Sequence, residues 1–228
     1  MIGTLSGVSS STVFVPLAQL IESVQVTLVL TASLHVLGNS VRAILYRDNI
    51  NWPLTLKFGV VSILFTGIGA QYSDFFPQSI YSLALGLFLI TISAYFLFFN
   101  NKFIFQGKWL PYLGGALSGL LTGLLGSGGA VRSLALTSFN LNPMMFTATS
   151  TLIDFGGDIV RLVIYLQKGY LNREHYFYIP FLAIVAVLAN WLAKLWIKRV
   201  KQESFQKIVL IGVLCMGLIS LITGLTSI

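Results

Sequence analysis

The sequence predicts an all-α polytopic membrane protein of about eight hydrophobic segments, arranged as two repeated halves of four. Three observations carry this expectation. Only 9% of the 228 residues are charged and 56% are hydrophobic, whereas about a quarter of a soluble domain is charged. Apolar runs of roughly 18 or more residues recur along the chain, each long enough to cross a hydrocarbon core of about 30 Å. The second half also repeats residues of the first at a constant offset.

The apolar runs fall at residues 2–21, 23–46, 53–71, 78–99, 109–139, 143–166, 176–197 and 205–227. Turn chemistry separates them: Arg47–Trp52 precedes Pro53, Asp74–Gln78 contains Pro77, and Asn100–Lys108 is the longest polar stretch near the middle. Residues 1–100 read as a first transmembrane repeat, 101–108 as a connector and 109–228 as a second repeat. At an offset of 119 residues, Gly7, Leu17, Gly38, Val41, Arg42 and Tyr46 meet Gly126, Leu136, Gly157, Val160, Arg161 and Tyr165. Four of these pairs form Gly-[Asn/Asp]-x-Val-Arg-x-x-x-Tyr, an intramembrane arginine repeated in register. Internal duplication is a common way of building secondary transporters.

The fifth segment is too long for one straight crossing. A helix from Pro111 to Pro143 would run about 50 Å against a core of about 30 Å. Its natural break is Gly126-Ser127-Gly128-Gly129, and the matching stretch in the first segment is Gly7-Val8-Ser9-Ser10-Ser11 before Pro16. Broken backbone at membrane depth is tolerated only where protein or a watery cavity satisfies it, so both breaks are expected to point inward. If segments one and five each cross once, the connectors holding Arg47, Lys102, Lys108, Lys168 and Arg173 share a side, opposite Lys198, Arg199, Lys201 and Lys207. If each folds back as a hairpin, only Lys168 and Arg173 stand opposite the rest. The hairpin arrangement fits the positive-inside tendency better and makes the halves an inverted repeat.

Several function classes are set aside. The net charge of +7 comes from fourteen Lys and Arg spread over connectors and helix ends, which orients a membrane protein and gives no basic tail for nucleic acid. Cys215 is the only cysteine, so no disulfide framework exists. No metal-ligand spacing appears, no cofactor is expected, and Gly128-Gly129-Ala130 lacks the lysine of a Walker phosphate loop. Without a basic leader the chain reads as inserting directly, as a multi-pass protein, into the cytoplasmic cell membrane. Its expected partners are the lipid bilayer and a small anionic substrate, and assembly into a homo-oligomer stays open.

Each half supplies one polar helical stripe. Thr31, His35, Asn39, Arg42 and Tyr46 share a face of the second segment, and Ser150, Asp154, Asp158, Arg161 and Tyr165 share a face of the sixth. Ionisable groups at bilayer depth cost several kcal/mol and mark a cavity or pathway. Arg42 and Arg161 are candidates for neutralising an anion, with Asn39 and Ser150 beside them. His35, Asp154 and Asp158 are candidates for proton or ion coupling. The competing reading has both arginines snorkelling, Tyr46 and Tyr165 as interfacial anchors, and the aspartates in a structural salt bridge.

At the breaks, a half-helix beginning at Gly126, Ser127, Gly128 and Gly129 presents free N–H groups to an anion, and Ser9, Ser10 and Ser11 add hydroxyl donors in the first half. Gly115, Gly119 and Gly123 stand at small-xxx-small spacing and read as a packing ladder. Arg132, just after the break, reads equally as an anion contact or as a cytoplasmic charge. The chain is not expected to be an enzyme. An intramembrane hydrolase would need Ser127 as nucleophile and His35 as base, with no evident orienting third group.

At Gly126-Ser127-Gly128-Gly129-Ala130, continuing into Asn142-Pro143 and Ala148-Thr149-Ser150, the sequence resembles the sulfite exporter family, TauE/SafE. Members of that family carry Gly-x-Gly-Gly-Gly followed by proline in each of two halves. The first half departs from the pattern, with serine at positions 9, 10 and 11. The resemblance runs over nearly the entire chain. It implies secondary transport of sulfite, sulfonates or related sulfur-containing anions, with a passive anion channel as the alternative. The first-half anion contact is then either lost or altered by the added hydroxyls, and the first segment, only six residues ahead of Gly7, reads as abbreviated.

Overall fold

The computed structural model describes residues 14, 18, 22–75, 77–98, 107–126, 128–197 and 202–226. In chain order these form α1 (Val24–Tyr46), a 3-10 turn (Arg47–Asn49), α2 (Trp52–Gln71), α3 (Gln78–Phe98), α4 (Leu110–Leu125), α5 (Gly129–Thr137), α6 (Pro143–Gln167), a second 3-10 turn (Arg173–His175), α7 (Tyr178–Ile197) and α8 (Gln202–Thr226). No strand occurs among the described residues. The first predicted segment, with Ser9, Ser10 and Ser11, falls outside the described residues apart from Phe14 and Ala18, and so does Ser127.

The polar breaks act as helix caps. Ser23 Oγ accepts from the Val26 N–H at the start of α1, Asn51 Oδ1 from Leu54 at the start of α2 and Asn142 Oδ1 from Met145 at the start of α6. Each satisfies one of the N–H groups that a first helical turn leaves without a partner. Pro53, Pro111 and Pro143 lie in the first turns of α2, α4 and α6, where the missing N–H is harmless.

The fifth predicted segment divides into α4 and α5. Gly126 ends α4 in the left-handed region at φ 69°, a conformation that a side chain would oppose. The chain then turns back on itself: Gly128 lies against Ser118 and Thr122, and Ala135 lies against Gly114. The two helices therefore run antiparallel. At nine residues, α5 spans about 14 Å and is too short to cross a bilayer.

Small residues set the closest packing. Gly115, Gly119 and Gly123 on α4 face the backbone carbonyls of Phe58, Ser62 and Thr66 on α2 in rising order, so these helices run parallel with no side chain between them. Gly86 on α3 and Gly217 on α8 bring that pair together in the same way. Helix α6 packs against both α1 and α2, and α7 covers another part of α1.

Because α1 runs antiparallel to α6 while α2 runs parallel to it, Arg47 and Lys108 stand at one end of the bundle and Lys168 and Arg173 at the other. That is the separation expected of the hairpin arrangement. A single crossing by the fifth segment would have put all four at one end.

Polarity is distributed inside out. Thr27, Thr31, His35, Asn39, Ser62, Thr66, Arg132, Asp158 and Arg161 are buried, while Leu56, Val60, Leu64 and Ile68 on α2 and Phe181, Ile184, Leu188 and Trp191 on α7 are exposed. Water would favour the reverse. Among the described residues, the stretches Gln25–Asn49, Trp52–Gln71 and Arg173–Leu192 are long and apolar enough to cross a membrane.

The glycine ladder gives a direct test. A methyl at Gly119 would collide with the Ser62 carbonyl, whereas one at Gly107 meets nothing within 4 Å. Gly119→Val is expected to lower stability by about 1–3 kcal/mol or more, and Gly107→Ala to leave it unchanged, in thermal unfolding of the detergent-solubilised protein.

Candidate functional site

The two polar stripes meet where α1 crosses α6. Asn39 Nδ2 donates to Asp158 Oδ2 at 2.6 Å. Arg161 Nε donates to Asp158 Oδ1 at 2.9 Å, and Arg161 Nη2 lies 2.9 Å from that same oxygen. Arg161 Nη2 also stands 2.9 Å from His35 Nδ1, which is 3.6 Å from Asp158 Oδ1. A guanidinium has only donors, so Nδ1 accepts and the imidazole in this arrangement is the neutral tautomer protonated at Nε2. Asp158 and Asn39 are essentially inaccessible, His35 is 7% exposed and Arg161 is fully buried.

A second charged layer lies beside the first. Arg132, on the returning helix α5, is 2% exposed. Its Nε donates to Ser150 Oγ at 2.9 Å and its Nη1 pairs with Asp154. These two bonds tie the hairpin to α6. Asp154 also lies within electrostatic reach of Asp158, His35 and Arg42.

Two guanidinium edges remain open. Arg42 Nε and Arg161 Nη1 are buried without an acceptor, although a buried donor ordinarily finds one. Arg161 Nη1 stands 3.3 Å from where a Cβ on Gly126 would be, so it faces the point at which α4 ends. No side chain caps the N-terminus of α5, which begins at Gly129 in buried surroundings. That terminus carries free N–H groups and a partial positive charge. With His35 neutral, three arginines face two aspartates, and the cluster carries one excess positive charge in a largely buried setting.

Such an arrangement is suited to a small anion. Residues 1–219 match the family described as Sulfite exporter TauE/SafE. The chain belongs to this family. A protein of Methanocaldococcus jannaschii named as a probable membrane transporter is 27% identical over 163 residues, which are 66% of this chain and 60% of that protein. The chain thus spans less than two thirds of that relative's length. No solved structure matches it significantly. Membership of TauE/SafE together with the apolar exterior makes this a membrane protein.

In this TauE/SafE chain, the sequence-predicted residues divide into three groups. His35, Asn39, Asp158 and Arg161 come into direct contact, and Arg42 and Asp154 lie next to them. Ser150 is buried but already accepts from Arg132, and Thr31 Oγ1 is turned back to the Thr27 carbonyl at 2.6 Å. Gly128 packs against Ser118 and Thr122, so its first duty is to let the hairpin close, while Gly126 and Gly129 flank the turn.

Two parts of the competing reading are set aside. Tyr46 and Tyr165 are not interfacial anchors: they are 1% and 0% exposed. Tyr165 donates to the Gly123 carbonyl at 2.7 Å, one of the last carbonyls that α4 leaves without a helical partner. Snorkelling is likewise excluded for Arg161, which is held by Asp158 at the bundle centre. The residue that sequence reasoning placed poorly is Arg132, whose apolar counterpart Val13 hid it from the repeat comparison. Its position within the first turn of α5 was the available signal.

At one end of the bundle, Asp74 receives Lys168 Nζ at 2.8 Å and the Tyr170 hydroxyl. Lys168 Nζ also donates to the Gln71 carbonyl at 3.0 Å, which ties the end of α6 to the turn after α2. Partial burial works against the Asp74 carboxylate, but the hydrogen bonds from Lys168 and Tyr170 outweigh it and hold its pKa below the usual value.

Two outcomes follow. Asp158→Leu, which leaves Arg161 buried without its counter-charge, should cost about 3–5 kcal/mol. Adding Arg161→Met should recover part of that loss in a double-mutant cycle of unfolding free energies. The depressed pKa of Asp74 contributes stability that is complete above the ordinary carboxylate value of roughly 3.9 and disappears as pH falls through the lower folded value. Asp74→Asn should remove up to about 1 kcal/mol near neutral pH, because the Asp74 carboxylate is largely exposed, and flatten that part of an acid-unfolding curve.

Proposed function

We propose that the chain is a secondary transporter moving a small sulfur-containing oxyanion or organosulfonate, sulfite-like in size and charge, across the cytoplasmic membrane. The observation that carries this reading is the buried cluster with excess positive charge, in which Arg161 turns an open N–H edge toward the glycine break of a re-entrant hairpin. Arg161 and Arg42 supply charge, the N–H groups at the start of α5 supply backbone donors, and Asp154, Asp158 and His35 carry the coupling ion or proton. Gly126, Ser127, Gly128 and Gly129 form the second-half backbone of the site, and Ser9, Ser10 and Ser11 the first-half counterpart.

The halves, residues 1–100 and 109–228, are read as an inverted repeat. Supporting this, Asn39 and Asp158 are separated by 119 residues, the same offset that aligns the halves in sequence, and they touch. Equivalent residues meet in this way on a two-fold axis. Bounds also agree, since moving α1, 24–46, by 119 gives 143–165 within α6, 143–167. The contacts of α2 with α6 and of α7 with α1 are a matching pair under that operation. Alternating access then follows from the halves rocking about the α1–α6 crossing.

Proteoliposomes loaded with radiolabelled sulfite test the reading. Each lost charge-assisted hydrogen bond costs about 1.5–3 kcal/mol, on the order of tenfold or more in affinity. Arg42→Ala combined with Arg161→Ala should therefore abolish saturable flux, with Arg42→Lys and Arg161→Lys as charge-retaining controls for folding. Unchanged flux in the double alanine variant would contradict the assignment. Flux indifferent to any ion gradient, at rates far above transporter turnover, would identify a channel.

A further inference from the structure

His35 and Asp154 occupy equivalent positions, 119 residues apart, yet differ in chemistry. Asp154 pairs with Arg132 on α5. His35 Nδ1 is instead an acceptor for Arg161, and Asp158 Oδ1, which Arg161 Nη2 also approaches, stands 3.6 Å from it. The first of these relations cannot coexist with a proton on Nδ1. A protonated Nδ1 has no lone pair for Arg161, repels its guanidinium, and needs to move less than about 1 Å to donate to Asp158 at ordinary hydrogen-bond length. Arg161 would then turn Nη2 as well as Nη1 away from His35.

Charge balance indicates what that motion serves. Arg42, Arg132 and Arg161 against Asp154 and Asp158 leave one positive charge, which a monoanion cancels. A dianion leaves one negative charge uncompensated in a buried site, an expensive state. A proton on His35 supplies the missing charge and presents a second Arg161 nitrogen to the ligand.

We propose that the site takes a doubly charged oxyanion together with one proton, held by His35, and takes a singly charged anion with none. This rests on the anion-site reading above. The charges around His35 among the described residues are Asp154, Asp158 and Arg161 from α6, Arg42 from its own helix and, behind Asp154, Arg132 from α5. From α7, on another side of α1, the neighbouring polar group is the uncharged amide of Asn190, bonded to the Gly38 carbonyl.

The test is calorimetric titration of the full-length, detergent-purified chain with thiosulfate, a dianion across the working range, and methanesulfonate, a monoanion. Each titration is run at one pH in Tris and in bis-tris, whose different ionisation enthalpies reveal proton uptake. The expected result is one proton taken up per thiosulfate and none per methanesulfonate. Thiosulfate affinity should fall by about tenfold per pH unit as pH rises wherever one proton is taken up, and His35→Gln should abolish the uptake. Equal proton counts for the two anions overturn the proposal, and that comparison needs no variant. Proton uptake that survives in His35→Gln, or in His35→Asn should the first variant fail to fold, overturns the assignment to His35. Failure of both anions to bind at any pH overturns instead the anion-site reading beneath it.

Discussion

The bundle is organised around the Asp158 carboxylate. It is buried at the α1–α6 crossing and accepts from Asn39 on one helix and from Arg161 Nε on the other, with Arg161 Nη2 2.9 Å away and His35 close by. A charge in such a place is tolerable only when its counter-charge and hydrogen bonds are in position, so the crossing admits little variation in register. A one-turn slip of α1 along α6 would separate Asn39 from Asp158 and strand Arg161. The polar cluster thus fixes how the helices meet, while apolar faces that suit lipid equally well supply little preference of their own.

From that crossing the remaining elements follow by close approach. Helix α2 lies along α6, and α4 lies along α2 because Gly115, Gly119 and Gly123 let the two backbones meet. Ending α4 at Gly126 and returning through α5 carries Arg132 back to the level of Ser150 and Asp154. The hairpin is therefore held by glycine packing on one side and by an ion pair on the other. Its turn faces Arg161, which makes the break part of the polar interior. At one end of the molecule, the Asp74–Lys168–Tyr170 group ties α2 to α6 again, with weaker contacts that water can reach.

The functional argument depends on incomplete neutralisation. Were every arginine matched, the cluster would be a structural ion-pair network and nothing more. The surplus positive charge and the open edges of Arg42 and Arg161 give an anion something to complete, in a setting where the interaction is little screened. Family membership supports the same direction without naming the ion. On the proposal made above, selectivity depends on how charge is balanced, with His35 as the group that takes the proton.

The sequence by itself determined the class, the approximate bounds of most described helices and the two polar stripes, because lipid imposes long apolar runs, polar caps at their ends and a strict cost on buried charge. It also identified the glycine ladder and the point at which the fifth segment breaks. The tertiary structure decided which charges pair with which. That His35 faces Arg161, that Arg132 reaches back to Asp154 and that Tyr165 serves the end of α4 all depend on helix crossings and on the return of α5. Such relations join residues up to 126 positions apart, and no local pattern encodes them. Periodicity assigns a side chain to a face of its own helix, and only packing decides what that face meets.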